Sequence, residues 1–383
     1  MKTRILLIFI ALLSIQFSYG QDDKHLELGG ALRFNYRYKD WDKSIKDVGG
    51  DAVLDVFLLK AKAKYNNLFL DCEYRFYPSG FGGGMLHHGF VGYKFNEKMQ
   101  LQLGVNQVPF GLLPYASHSW FFNLPYYVGL EDDYDTGIKW VYNTSKWYIG
   151  AAIYKNAEGA RKTIDFSNGT RGAGVDLARY SYDLARDMEE TGQANLRLAR
   201  RFGNQEVGVS AQYGRYRNHV LKNNNTHEAY SFHYNGQFLK DERLDLKFEV
   251  SYYNYHNTKS NTVTLGAYNF TYDIASEATI FTGGIAYTIP VKSKLIKSVQ
   301  FYEDYNYMHK GNSGFNATQM NVVGCMIAVN PVYIYIDYAS GKNQEWLGPW
   351  GAFGDSGSEF GLAKGASNPE WHSWFNINVG YYF

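Results

Sequence analysis

Past its first twenty residues, the 383-residue chain has no apolar run approaching the ~20 residues that a helical membrane span needs. That excludes a helical integral membrane protein, and hydropathy alone would describe a soluble chain. Cysteine is nearly absent, Cys72 and Cys325 being the two present, so a disulfide framework is excluded as well. The formal net charge is only +1. A chain with so little net field lacks the electrostatic support that nucleic-acid binding requires. Catalytic signatures are missing too. No Gly-x-Ser-x-Gly element stands in a strand–turn–helix setting, and there is no phosphate-binding loop, dinucleotide fingerprint or Cys/His zinc spacing. His87-His88 is a tandem pair, and on a regular strand its side chains point to opposite faces, a poor metal clamp. His233 shares a face with Ser231, Asn235 and Gln237 and reads as part of a polar wall. No cofactor and no metal are expected.

What the chain has is a short export signal, many aromatics and a strict alternation. Lys2 and Arg4 precede the apolar run Ile5 to Phe17, and Ser18-Tyr19-Gly20 places small residues for cleavage before Gln21. An uncleaved anchor is the alternative, but the run is too short for a comfortable span. The remainder, 21–383, reads as one domain. Tyr numbers 34, Phe 25 and Trp 8, against 8 Pro. Such aromatic enrichment suits strands and supplies the interfacial girdles of membrane barrels.

The alternation has period two in segments of ~10 residues, the sequence mark of transmembrane strands. In 244–252, Leu244, Leu246, Phe248, Val250 and Tyr252 take one face while Asp245, Lys247, Glu249 and Ser251 take the other. Sixteen such segments fall near 26–41, 52–65, 68–77, 84–95, 99–111, 134–143, 147–156, 194–202, 206–217, 228–239, 243–255, 278–289, 297–309, 317–329, 332–340 and 371–383. Short polar links, among them Asn66-Asn67, Asn96-Glu97-Lys98 and Asn330-Pro331, alternate with long ones such as 112–133, 157–193, 256–277 and 341–370. The pattern predicts an all-β fold: a closed transmembrane antiparallel barrel of about sixteen strands, with short periplasmic turns and long extracellular loops. Cys72 and Cys325 then lie on the third and fourteenth strands, too far apart to bridge. Strand one starts close behind the cleavage site, which leaves no room for a plug domain.

Charge at mid-strand costs about 2–4 kcal/mol on the lipid face, so parity sends Arg33, Arg37, Lys39, Lys60, Lys62, Lys64, Arg75, Lys139, Arg197, Arg201 and Lys247 to the lumen. These are the candidate anion path, with Asp71, Glu73, Asp135, Asp245, Glu249 and Asp337 as acidic partners. A wall of mutually satisfied charges is the alternative. The link 112–133 carries Tyr115, Trp120, Phe121, Phe122, Tyr126 and Tyr127. So many aromatics are poorly solvated in an exposed loop, which predicts that this segment enters the barrel and narrows it. Packing on the outer rim is the other possibility.

Three features together resemble the phosphate-selective porin O and P family, including its Bacteroidetes-type members. They are the opening strand from Gly29 to Tyr38 behind a signal peptide, the motif Gly104-Val-Asn-Gln-Val-Pro-Phe-Gly111 before the presumed constriction, and the aromatic final strand ending at Phe383. The resemblance implies a sixteen-stranded outer-membrane barrel of a Gram-negative cell, a homotrimer conducting anions. Family members that select phosphate carry lysine and arginine in the constriction. Here 112–133 has neither and ends in Glu131-Asp132-Asp133. The expected function is therefore passive diffusion of small hydrophilic solutes with a modest anion preference, and no enzymatic activity. Two alternatives stand beside it: a barrel enzyme of lipase or protease type, and an exported soluble β-sandwich that binds a ligand.

Overall fold

The structure, a computed structural model, describes residues 24–158, 179–350 and 361–383. The segment read as a signal peptide lies outside the described residues. In chain order the strands are β1 (Lys24–Lys39), β2 (Asp51–Tyr65), β3 (Leu68–Phe76), β4 (Gly84–Asn96), β5 (Met99–Gln107), β6 (Tyr134–Asn143), β7 (Trp147–Ala157), β8 (Asp183–Leu184), β9 (Met188–Phe202) and β10 (Gln205–Asn218). They continue as β11 (Asn223–Phe238), β12 (Leu244–Tyr255), β13 (Thr262–Ala267), β14 (Phe270–Ala275), β15 (Glu277–Pro290), β16 (Ser298–Lys310), β17 (Thr318–Ala328), β18 (Val332–Lys342) and β19 (His372–Tyr382). Sixteen of these close into one antiparallel barrel, each pairing with its neighbour along the chain, while β8, β13 and β14 form a separate three-stranded sheet.

Closure is made by β1 against β19, in register from Ala31↔Tyr382 to Lys39↔Trp374. Gly30 and Phe383 exchange backbone hydrogen bonds of 2.8 and 3.0 Å at this seam. Glycine is required at position 30, where a Cβ would sit 2.4 Å from the Leu58 carbonyl oxygen and 2.7 Å from the Phe383 ring. The turns at Asn66, Asn96 and Asn330 share one rim with both ends of the barrel sheet, as an antiparallel closed order demands. Asn66 takes a left-handed φ of 53°, a conformation asparagine tolerates better than most residues.

Alternation sorts the side chains. On β12, Phe248 is exposed on the outer face while Glu249 and Ser251 are buried inside. Leu32, Phe34 and Tyr36 of β1 and Leu70, Tyr74 and Phe76 of β3 are likewise exposed outward. An apolar band around a polar interior is the arrangement a bilayer imposes. The principal buried apolar cluster lies among the segments that fold onto the barrel's inner wall. Phe121, Leu124, Tyr126, Tyr127, Tyr180, Tyr182, Leu184, Val263, Leu265, Tyr272, Ile274, Trp346 and Leu347 pack together there.

Candidate functional site

Strand β5 stops at Gln107, four residues short of its expected end at 111. The chain turns inward there because Pro109 cannot extend the ladder and because Val108 and Phe110 pack into the inner apolar cluster. Two bonds close the foot of this excursion: Val108 N–H donates to the Asp133 carbonyl at 2.8 Å, and Lys139 Nζ donates to the Gln107 carbonyl at 2.6 Å. The segment 108–133 then runs across the lumen. Gly111 and Leu112 N–H donate to Ser210 Oγ of β10 (3.1 Å) and Glu249 Oε2 of β12 (2.8 Å). His118 and Ser119 N–H donate to Asp304 Oδ2 at 2.7 and 3.0 Å. The His118 ring spans from Asp304 Oδ1 (2.8 Å) to Asp245 Oδ1 (3.3 Å). Trp120 N–H donates to Asp337 Oδ2 at 3.3 Å, and Leu124 N–H to Asn306 Oδ1 at 3.1 Å. Asp304 and Asn306 stand on β16, which lies opposite β5 in the ring of strands.

The wall's carboxylates thus face backbone N–H groups, the partners that best satisfy a buried anion. Burial alone would lower the pKa of His118. Its hydrogen bonds to Asp245 and Asp304 outweigh that and hold the imidazole above its usual value. Burial, reinforced by Glu249 and Asp132, pushes the Glu131 carboxyl well up. For Asp132 burial acts upward, but His87 and Tyr180 bring it below the usual carboxylate range.

Between this segment and the wall of β1–β4, β18 and β19 lies a cavity of about 620 Å³. Arg33, Arg37, Lys60 and Arg75 line it from the wall, and Tyr115, Trp120, Phe121, Phe122, Tyr126 and Tyr127 from the segment. The basic groups are partnered. Arg33 meets Asp55 at 2.8 Å, Arg37 meets Asp51 at 2.8 Å, Lys60 meets Glu73 at 3.1 Å, and Arg75 meets Glu73 at 2.5 Å. The Arg75 guanidinium also lies 4.5 Å from the centre of the Tyr180 ring. Lys62 pairs with Asp71 at 3.8 Å and is more than half exposed. Lys64 follows it on the same face of β2, toward the short-turn rim.

The other basic candidates stand elsewhere. Lys39 lies over the Trp374 ring at 4.1 Å. Arg197 is fully buried, donating to the Gly111 carbonyl (2.7 Å) and Glu206 (2.6 Å), and Arg201 meets Glu206 at 2.8 Å. Lys247 Nζ donates to the Ser117 carbonyl at 3.1 Å. Arg197 and Lys247 therefore hold the crossing segment by its carbonyls, and Lys139 holds the strand end that leads into it.

The tandem histidines correct the parity argument. A bulge shifts the β3–β4 register between Glu73 and Tyr74, so His88 pairs with Glu73 while Leu86 pairs with Tyr74. The extra residue, His87, joins His88 on the lumen side, and their Nδ1 atoms lie 2.8 Å apart. Donor atoms of Glu73, His87 and His88 fall within 4.8 Å of one another, but Arg75 and Lys60 already occupy the carboxylate.

Sequence reading missed the inner tyrosines. Tyr180 and Tyr182, with Tyr268 and Tyr272, pack against Tyr126 and Tyr127 with ring centroids 5.2 to 6.2 Å apart. They lie in links read as extracellular loops. The available signal was their density, Tyr180-Ser-Tyr182 and Tyr268-Asn-Phe-Thr-Tyr272, which is unusual for solvated loops.

No family model matches the chain, and no curated protein matches it. Solved structures do. The outer membrane channel DcaP of Acinetobacter baumannii aligns with a TM-score of 0.59 at 10% identity, over 94% of this chain and 97% of its own. The anion-selective porin from Comamonas acidovorans aligns at 0.57 and 12% identity, over 94% of this chain and 100% of its own. OmpT, an outer membrane protein of Vibrio cholerae solved in a trimer form, aligns at 0.57 and 15% identity, over 94% and 99%. At such identities the likeness establishes the fold: a sixteen-stranded barrel of the kind outer-membrane porins have.

Proposed function

We propose that this chain is an outer-membrane porin through which small hydrophilic solutes diffuse passively, with a modest preference for anions. The observation that carries the reading is the segment 108–133 pinned to the opposite wall at Asp304, with a cavity left beside it that Arg33, Arg37, Lys60 and Arg75 line. A crossing segment of this kind narrows the lumen to a sieve, and the charges beside it set which ions enter. The acidic residues Asp245, Glu249, Asp304 and Asp337 are engaged by the segment, which leaves the β1–β3 wall to set the sign of the field. Arg33, Arg37, Lys60, Lys62 and Arg75 on that wall are themselves paired with Asp51, Asp55, Asp71 and Glu73, so the preference is modest and no dedicated phosphate site is invoked. Export through a cleaved signal, residence in the outer membrane and assembly as a homotrimer belong to the same reading. Among the fold neighbours one is anion-selective and one was solved as a trimer. The resemblance of the opening strand, Gly104–Gly111 and the aromatic final strand to the phosphate-selective porin O and P family supports this reading.

The test is the zero-current potential across a planar bilayer in a salt gradient, for the wild type and for Lys60→Gln, Lys62→Gln, Lys64→Gln combined. The wild type should show anion preference, and the triple variant should move toward cation preference. A potential that stays put would make the cluster a structural charge network and end the selectivity claim.

A further inference from the structure

At the foot of the crossing segment the barrel holds a set of carboxylates that transport does not use. Asp133 ends the segment, Asp135 is the second residue of β6 and Asp183 stands on β8. One oxygen from each lies within 4.8 Å of the other two, and all three side chains are buried. Each keeps an oxygen with no hydrogen-bond partner: Oδ1 of Asp133, Oδ1 of Asp135 and Oδ2 of Asp183.

A second observation points to a ligand. Gln193 on β9, 4% exposed, donates its amide to Asp135 Oδ2 at 3.1 Å and leaves its own Oε1 buried and unpartnered. Glu158 and Glu190 add further carboxyl groups beside Asp133, and each also has a buried unpartnered Oε2. The guanidinium of Arg179, whose charge acts on Asp183, Glu158 and Glu190, gives its hydrogen bonds to the carbonyls of Gly266, Asp183 and Leu184. Converging buried acceptor oxygens that lack a donor are unfavourable unless something positive fills the space.

We propose that Asp133, Asp135 and Asp183 ligate a divalent cation of the calcium class, with Gln193 Oε1 as a neutral oxygen donor. An all-oxygen set built from carboxylates and an amide suits a hard cation with six to eight ligands. The three aspartates come from three elements, so the ion cross-links the crossing segment, the barrel wall and the inner sheet. The site is independent of whether the chain transports solutes.

Full-length protein in detergent, stripped with a chelator, provides the test. Terbium(III) takes calcium sites and is sensitised by nearby tyrosine, and Tyr134 and Tyr182 directly adjoin Asp133 and Asp183 in the chain. The expected result is one sensitised terbium ion per folded chain, displaced by calcium. Calcium should also raise the temperature at which the stripped barrel unfolds. Asp133→Asn and Asp183→Asn should each weaken calcium affinity at least about tenfold, since ligand charge tunes such sites over decades. Asp47→Asn, on the exposed helix 43–47, should change nothing. Should an aspartate variant fail to give the heat-resistant barrel, the wild-type titration alone decides. Absence of stoichiometric terbium emission in folded wild type, or emission unaffected by both substitutions, overturns the proposal and means that protons neutralise the cluster.

Discussion

Asp304 is the residue whose removal most directly tests how the crossing segment is held. It is fully buried on β16 and accepts three hydrogen bonds, from His118 N–H (2.7 Å), Ser119 N–H (3.0 Å) and the His118 ring (2.8 Å). Asp304→Ala leaves two backbone donors and a ring nitrogen without acceptors. An unpaired buried donor costs about 1–3 kcal/mol, so two amides weaken docking by roughly 2–6 kcal/mol. Water in the lumen can reach the freed groups, which favours the lower figure. Even 2 kcal/mol raises the undocked population of the tip about thirtyfold. The anchors at Leu112, Trp120 and Leu124 remain, confining the release to the stretch around 116–119. Single-channel recording should therefore show larger current noise and a modest rise in mean conductance, while heat-resistant migration on gels stays unchanged. A folded Asp304→Ala channel with wild-type conductance and noise would refute the claim that Asp304 holds the segment across the lumen.

Further expectations follow from the same contacts. The raised pKa of His118 means that its contribution to docking is complete below the unfolded imidazole value near ~6.5 and is lost as pH rises through its higher folded value. Noise should grow on going from about pH 6 to pH 9, and His118→Asn should flatten that profile. Burial pushes the Glu131 carboxyl well up, so stability falls as pH climbs from the ordinary range for a free carboxyl toward its raised folded value. Glu131→Gln should raise the unfolding temperature at pH 8 and leave it nearly unchanged at pH 4, a contrast that heat-modifiability measured at both pH values will detect. Deleting residues 116–123 should raise conductance, which single-channel recording checks directly. Gly30→Ala forces a Cβ to within 2.4 Å of the Leu58 carbonyl and should cost about 1–3 kcal/mol, typical of overpacking, read as a lower barrel unfolding temperature.

The barrel was legible because lipid and water enforce opposite chemistry on alternate residues. Each of the sixteen barrel strands overlaps a segment read from alternation, and Asn66, Asn96 and Asn330 fall on the expected rim. Outside the lipid zone the rule no longer holds. The inner strands β13 and β14, six residues each, bury Val263, Leu265, Tyr272 and Ile274 and leave Thr262, Thr264, Thr271 and Asp273 half-buried on the other face, and β8 has only two residues, so none is long enough to stand out beside the ~10-residue alternation of the wall strands. Val108 and Phe110 looked like a continuation of β5, yet they are apolar because they pack into the inner cluster. His87 defeated parity because one inserted residue reverses the facing of everything beyond it, and nothing in the local sequence announces a bulge.

The charges raise a subtler point. Parity distinguishes wall-facing from lipid-facing residues, but it cannot tell a side chain that meets solvent from one that meets another segment. Lys139, Arg197 and Lys247 all face inward, and all three are engaged by carbonyls of the crossing segment or the strand end that leads into it. The same holds for Asp245, Glu249, Asp304 and Asp337 on the acidic side. One chain segment with no Lys or Arg of its own binds both signs, through its N–H groups and its C=O groups, and so removes both from the open path. What remains open is the wall of β1–β3, where Arg33, Arg37, Lys60 and Arg75 sit beside carboxylates at 2.5 to 3.1 Å and Lys62 somewhat farther. A paired charge in water-filled space projects a dipolar field that fades within a Debye length, about 8 Å at physiological salt. Selectivity of the proposed channel should therefore depend steeply on ionic strength, strongest in dilute salt and weak near 1 M, where screening falls to about 3 Å. A selectivity ratio that is flat across that range would place the discriminating charges in unpaired, desolvated positions, contrary to the pairing at Arg33, Arg37 and Lys60.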